Sequence, residues 1–336
     1  MTGPESTPGG TVVLLDVNGT LVPHDTPGPP PPRTADRLAR AVSLAHGAGV
    51  CVGLCSDSPL EQLLALGHHI GLGPPGRFPV VAENGAVVAW DGRLRPTRPF
   101  PHRAAVRAVV SRWARVAGLR QSEDVVGPEF GGGRPPGDAW AFGANRRSSV
   151  SVFAPPDPVT AWARSLTCWG RRAGARLTVD AAPCHSYLGV HSCVPLRSGK
   201  RRVLAELARA GHRVVMVGDS LADWVPPGTG VRCAFVADAN VPAAVRGACW
   251  HAAARPGAAG AEEVLRRVAT EERPPGSGDG TGSRRDTGGR RGTGSHHDTG
   301  SRHDTGGRRD TGSGHDPSSG GAHSSGGDER SGTEGR

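Results

Sequence analysis

The chain has 336 residues, a formal charge of +9 and only 4% aromatic residues. That length suits about two domains of ordinary size, and so few aromatics argue against a base-stacking platform and a nucleic-acid partner. The start, MTGPESTPGG, lacks the basic and apolar parts of a signal peptide. The seven Cys contain no CxxC pair, and no apolar run nears the ~18 residues needed to span a bilayer. The expectation is a cytoplasmic protein with no membrane partner.

In chain order, Thr11–Leu15 is a short apolar run of buried-strand type, followed by the Pro-rich PGPPPP. Leu38, Ala41, Val42 and Ala45 are spaced for a helix from about Thr34 to His46. Val50–Leu54 predicts a second strand, Leu60–Ile70 a helix and Pro79–Ala82 a third strand. Short apolar strands separated by helices predict a parallel α/β sheet with right-handed crossovers. ENGAVVAWDGR at 83–93 then predicts a β-hairpin turning at Asp91-Gly92.

From there the rhythm changes. A helix (103–117), a Gly/Pro loop (127–137), a strand (149–153), a helix (158–172) and two strands (176–180, 186–190) suit a small α+β lid. After Ser198 the first rhythm returns: a helix at 199–210, a strand Arg213–Val217, the loop GDSLAD, a strand near Val231–Ala237, and helices at 241–247 and 260–270. The simplest account is one α/β core over 11–96 and 196–272, interrupted by an inserted α+β cap over 97–195. Residues 1–10 are expected to be disordered, as is a low-complexity tail over 273–336.

The tail carries a hexad repeat from 284 to 319 (RRDTGG, RRGTGS, HHDTGS and variants) with no hydrophobic position, so it cannot offset the entropy of ordering. Its protein partner, if it has one, is not legible. Residues 276–336 hold nine Arg against nine acidic residues, whereas 97–195 hold thirteen Arg against six. The positive excess therefore sits in the folded part, and an Arg-rich cap suits an anionic substrate. Thirty-nine of the forty basic residues are Arg, leaving Lys200 as the one Lys. Such a bias should stop where a compact ammonium is needed, so Lys200 is singled out for chemistry.

Four features fall at the ends of predicted strands or at a helix start, where open α/β sheets place their ligands. Asp16 follows the first strand in LLDVNGTL, Ser56 follows the second, Lys200 opens a helix, and Asp219 and Asp223 lie in GDSLAD. Carboxylates from two strand ends can share a hard divalent cation such as Mg2+. A serine and a lysine supply donors to phosphate oxygens, and a carboxylate can attack phosphorus to give an aspartyl-phosphate.

Together these motifs resemble the haloacid dehalogenase (HAD) superfamily of phosphatases and phosphotransferases. The family's Asp-x-Asp-Gly-Thr matches DVNGT at 16–20 except at Asn18; Ser56, Lys200 and GDSLAD match its second, third and fourth motifs in order. With the insert between Ser56 and Lys200, preceded by PVVAENGAVV, the chain is similar to the Cof-type and mannosyl-3-phosphoglycerate phosphatase-like branch. The resemblance implies a HAD-like Rossmannoid core with a cap, and a small phosphorylated substrate such as a sugar phosphate. It implies Asp16 as nucleophile, with Mg2+ held by Asp16, the residue-18 carbonyl, Asp219 and Asp223, and the phosphoryl group held by Ser56 and Lys200.

Three positions depart from that pattern. Asn18 replaces the acid/base Asp, and an amide does not exchange a proton at neutral pH. Asp57 stands where many relatives have Gly and adds a negative charge near the phosphate. Ala222 stands where the Cof-type loop has Asn. Two alternatives to a phosphatase follow: a catalytically impaired protein that binds a phosphometabolite, or an interaction protein using its basic cap and tail. CHSYLGVHSC (184–193) brings His and Cys together, and a strand there would put His185 and His191 on one face.

Overall fold

The structure, a computed structural model, describes residues 9–24, 28–90, 93–96, 99–127, 130, 132, 134–192 and 196–273. The proposed N-terminal segment up to residue 8, the tail from residue 274 and the Asp91-Gly92 turn lie outside the described residues.

An eight-stranded sheet forms the larger layer. Its strands are β1 (Thr11–Leu15), β2 (Cys51–Cys55), β3 (Val80–Ala82), β4 (Val87–Trp90), β5 (Arg93–Pro96), β11 (Arg213–Ser220), β12 (Val231–Asn240) and β13 (His251–Ala252). They run in the order β13-β12-β11-β1-β2-β3-β4-β5, parallel from β13 to β3 and antiparallel at β4 and β5.

Both faces of this sheet are buried, and alternate residues divide between them. Val13 and Leu15 join one core with α1 (Pro32–Gly47), α2 (Leu60–His69) and α7 (Gly257–Glu272). Val12 and Leu14 join a second with α5 (Leu196–Arg209). Two-sided burial is why TVVLL and RVVMV read as unbroken apolar runs. α1 starts with Pro at its first position, where the missing N–H is no loss, and buries the stripe Leu38, Ala41, Val42 and Ala45.

A five-stranded sheet forms the second layer, from β6 (Arg120–Gln121), β7 (Ala139–Phe142), β8 (Ser149–Phe153), β9 (Leu177–Ala182) and β10 (Tyr187–Ser192), in the order β6-β7-β8-β10-β9. Two helices, α3 (Arg103–Val116) and α4 (Pro156–Arg172), cover one face around Val152, Leu166, Leu188 and Trp140. A short α6 (Ala243–Ala248) completes the first layer's connections. The chain thus has the expected α/β architecture, with the smaller sheet inserted between β5 and α5.

β7 was not foreseen. All four residues of AWAF are buried, so the segment has no alternation and follows directly on a Gly/Pro loop. His185 also differs from expectation: it sits in a 3-10 turn, Pro183–His185, and Ser186 after it takes φ 53°, so His185 and His191 do not share a strand face.

Candidate active site

The ends of β1 and β11 converge because the two strands pair in parallel and in register, Leu15 beside Val217, with Asp16 N–H donating to Val217 O at 2.8 Å. Asp16 and Asp219 therefore leave the sheet at the same edge. Asp223 is folded back by a 3-10 turn, Leu221–Asp223, which Ser220 caps while the Ser220 N–H and hydroxyl donate to the Asp223 carboxylate at 3.3 and 3.1 Å. Gly218 makes room for it, since a Cβ there would lie 2.4 Å from Asp223 Oδ2.

Lys200 is only 4% exposed, and its Nζ donates to Asp16 Oδ1 and Asp223 Oδ1, both at 2.7 Å. An ammonium this deeply buried is stable only when its hydrogens are met. Burial disfavours its charge, but Asp16 and Asp223 outweigh that and hold its pKa well above the ordinary lysine value. Burial, then the charge of Asp223, pushes the Asp16 carboxyl up, against the pull of Lys200.

Asp16, Asp219 and Asp223 each place a carboxylate oxygen within 4.8 Å of the others. An all-oxygen set suits a hard divalent cation. Three buried carboxylates against one ammonium leave negative charge that such a cation would neutralise, so the residues present fit Mg2+.

The loop after Asp16 is tight. Gly19 has φ 77°, its N–H donates to Val22 O at 2.7 Å, and a Cβ on it would stand 2.2 Å from Asp219 Oδ2. Only glycine fits this approach. Asn18 is half-buried and bridges to Val22. His24 was not picked out from the sequence. Its Nε2 lies 3.0 Å from Asp219 Oδ2, a hydrogen bond that raises the imidazole pKa against the effect of partial burial. Its ring stacks on His185 of the smaller layer at 5.3 Å.

Ser56 follows β2, the strand beside β1, and is buried; its N–H donates to Val81 O at 2.9 Å, and its hydroxyl is 3.3 Å from the Ser58 hydroxyl and N–H. The last residue of β2, Cys55, has a thiol that burial pushes up to about 12, so it is inert at neutral pH.

Beside Ser56, Asp57 does not present a free charge. Arg146, 8% exposed, donates from Nη1 to Asp57 O at 2.6 Å and to Oδ1 at 3.1 Å, and the Tyr187 hydroxyl donates to Oδ2. Burial opposes ionisation of Asp57, but Arg146, His191 and Tyr187 outweigh it and bring the carboxyl down to about 2. The extra negative charge expected at this position is thus paired by the inserted layer.

A second contact lies alongside. Glu83 is fully buried at φ 49°; its carboxylate accepts from Arg147 N–H at 2.7 Å, Ser148 N–H at 2.8 Å and the Ser149 hydroxyl at 2.5 Å. Its own N–H donates to Ser58 O at 3.1 Å, and Asn84 N–H donates to Ser56 O at 3.2 Å. The same turn touches the start of α5, because a Cβ on Gly199 would lie 1.9 Å from Asn84 O. Glu83–Gly85 therefore ties the Ser56 loop, the Lys200 helix and the inserted layer together.

Asp16, Asp219 and Asp223 are in reach of one another and Lys200 bonds the first and the last, while Ser56 stands on the adjacent strand end and Asn18 in the loop after Asp16. Among the described residues these three aspartates are the one His/Cys/Asp/Glu group able to share a metal; His185 and His191 are apart, and Cys193 lies outside them.

No family model matches the chain, and no curated protein matches its sequence. Solved structures do. A haloacid dehalogenase-like hydrolase from Bacteroides thetaiotaomicron superposes with a TM-score of 0.54 at 14% identity, over 77% of this chain and 99% of that one. A chain from Plasmodium vivax described as HAD/COF-like gives 0.52 at 13% identity, over 79% and 97%. A Thermoplasma acidophilum protein gives 0.51 at 15% identity, over 77% and 97%. At such identities the likeness is one of fold, and the fold of this chain is that of the haloacid dehalogenase-like hydrolases.

Proposed function

We propose that the chain is a Mg2+-dependent phosphatase acting on a small phosphorylated metabolite through an aspartyl-phosphate on Asp16. The observation that carries this reading is Lys200 Nζ, held at 2.7 Å from both Asp16 and Asp223 in a buried site. The one lysine of the chain thus bridges carboxylates from two different strand ends. Mg2+, when bound by Asp16, Asp219, Asp223 and the residue-18 carbonyl, neutralises charge between the carboxylates and the phosphoryl oxygens.

In this reading a carboxylate oxygen of Asp16 attacks phosphorus, the bond to the leaving oxygen breaks, and the leaving group departs with the electron pair. Lys200 and the Ser56 hydroxyl hold the phosphoryl oxygens. Water then attacks phosphorus, releasing inorganic phosphate and restoring Asp16. Asn18 supplies no proton to the leaving oxygen, so water must, and esters with good leaving groups turn over best. Asn18 also favours a second reading, a binder of phosphometabolites with little turnover. The test is hydrolysis of p-nitrophenyl phosphate and a panel of sugar phosphates with Mg2+; absence of turnover on all of them would refute the phosphatase and leave the binder.

A further inference from the structure

The face of the cap sheet turned toward the core carries polar side chains beside Phe153. β8 and β10 pair with Ser149 opposite His191, Ser151 opposite Gly189 and Phe153 opposite Tyr187. Alternate strand residues share a face, so Ser149, Ser151, Tyr187 and His191 lie together, and Asp180 of β9 joins them opposite Gly189. Val150, Val152, Leu188 and Val190 point the other way, into the cap core.

Arg146 and Tyr187 bond this face to Asp57, one residue beyond Ser56. Several polar atoms there are buried without a hydrogen-bond partner among the described residues: Arg146 Nε, Ser151 Oγ and both ring nitrogens of His191. His191 Nε2 stands 3.3 Å from Asp57 Oδ1, within reach of its charge but off the line of a hydrogen bond. Buried donors left unmet are costly, and these gather beside the loop read above as holding phosphate. They are suited to hydroxyl groups. Arg146 offsets Asp57, burial lowers the His191 pKa and favours its neutral form, and the exposed Asp180 on the edge strand adds no positive charge.

We propose that Asp57 is a specificity-determining residue: by engaging Arg146 it leaves this face charge-balanced, fitted to an uncharged, hydroxyl-bearing leaving group and closed to one carrying a second anion. Without the Asp57 carboxylate, Arg146 keeps its bonds to Asp57 O, Ser149 and Tyr187, but its charge is unpaired and ready for a carboxylate or phosphate. The net positive charge of the cap therefore does not translate into an anionic leaving-group site. This rests on the reading of Ser56 and Lys200 as the phosphate site.

The test measures affinities by calorimetry in an Asp16→Asn background with Mg2+, using inorganic phosphate, glucose 6-phosphate and 3-phosphoglycerate. Glucose 6-phosphate is expected to bind about tenfold more tightly than 3-phosphoglycerate, and adding Asp57→Asn is expected to reverse that order by a similar factor. Asp57→Gly leaves the same guanidinium charge unpaired and serves if the Asn variant does not fold. Phosphate binding with equal affinity for the two esters, or an order unchanged by either Asp57 variant, overturns the proposal and leaves the phosphate site standing. Failure to bind inorganic phosphate overturns both.

Discussion

Changing Asp57 to Asn removes one member of a pair whose other member, Arg146, is buried at 8% exposure. The Asp57 carboxyl is brought down to about 2 from an ordinary 3.8. At about 1.4 kcal/mol per pKa unit, that corresponds to roughly 2 kcal/mol of pH-dependent stability, rounded down because the side chain keeps 23% exposure. The sign follows from the lowered value: the contribution is complete above the unfolded pKa and fades as pH falls through the folded one. Urea unfolding of wild type and Asp57→Asn at pH 6 and pH 3 reads it directly. The wild type is expected to be the more stable at pH 6, with the gap narrowing by about 1 kcal/mol at pH 3. A gap of the same size at both pH values would refute the assignment of this pair as charged.

Lys200→Met leaves Asp16 and Asp223 facing each other without their shared ammonium; metal-free stability should fall by roughly 3–5 kcal/mol, with part recovered on adding Mg2+, as read by urea unfolding. Gly19→Ala forces a Cβ to within 2.2 Å of Asp219 Oδ2, so calorimetric Mg2+ affinity should drop by about tenfold or more even where the variant still folds. Asn18→Asp restores a group that can carry a proton, and turnover of poor-leaving-group esters should rise by roughly 10²–10⁴-fold while p-nitrophenyl phosphate gains less; equal gains on both would argue that proton transfer is not the missing step.

Much of the core was legible because buried parallel strands and amphipathic helices leave strong local patterns. TVVLL, CVGLC and RVVMV bury side chains on both faces, and Asp16, Ser56 and Asp219 follow them within two residues. The one lysine stood out against thirty-nine Arg and proved to be buried between two carboxylates. The contacts joining core to cap were not legible. His24 meets Asp219 from 195 positions away, and Glu83 reaches Ser149 from 66 away. Neither partner leaves a trace at short range, and Arg146 was one of thirteen Arg with nothing local to mark it. β7 was hidden because AWAF is only four residues long and follows directly on a Gly/Pro loop, too short a run to mark a strand. Asp57 was noticed, but as an unwelcome charge, since pairing depends on the cap folding back over it.

The account stands most directly on the covalent step at Asp16. The protein is mixed with p-nitrophenyl phosphate and Mg2+, quenched in acid, digested and analysed by mass spectrometry, beside an Asp16→Asn control. The account predicts one phosphoryl group on the peptide containing Asp16, sensitive to hydroxylamine as an acyl phosphate is, with both label and turnover absent from the variant. Turnover that persists in Asp16→Asn, or a label on any other residue, would contradict it.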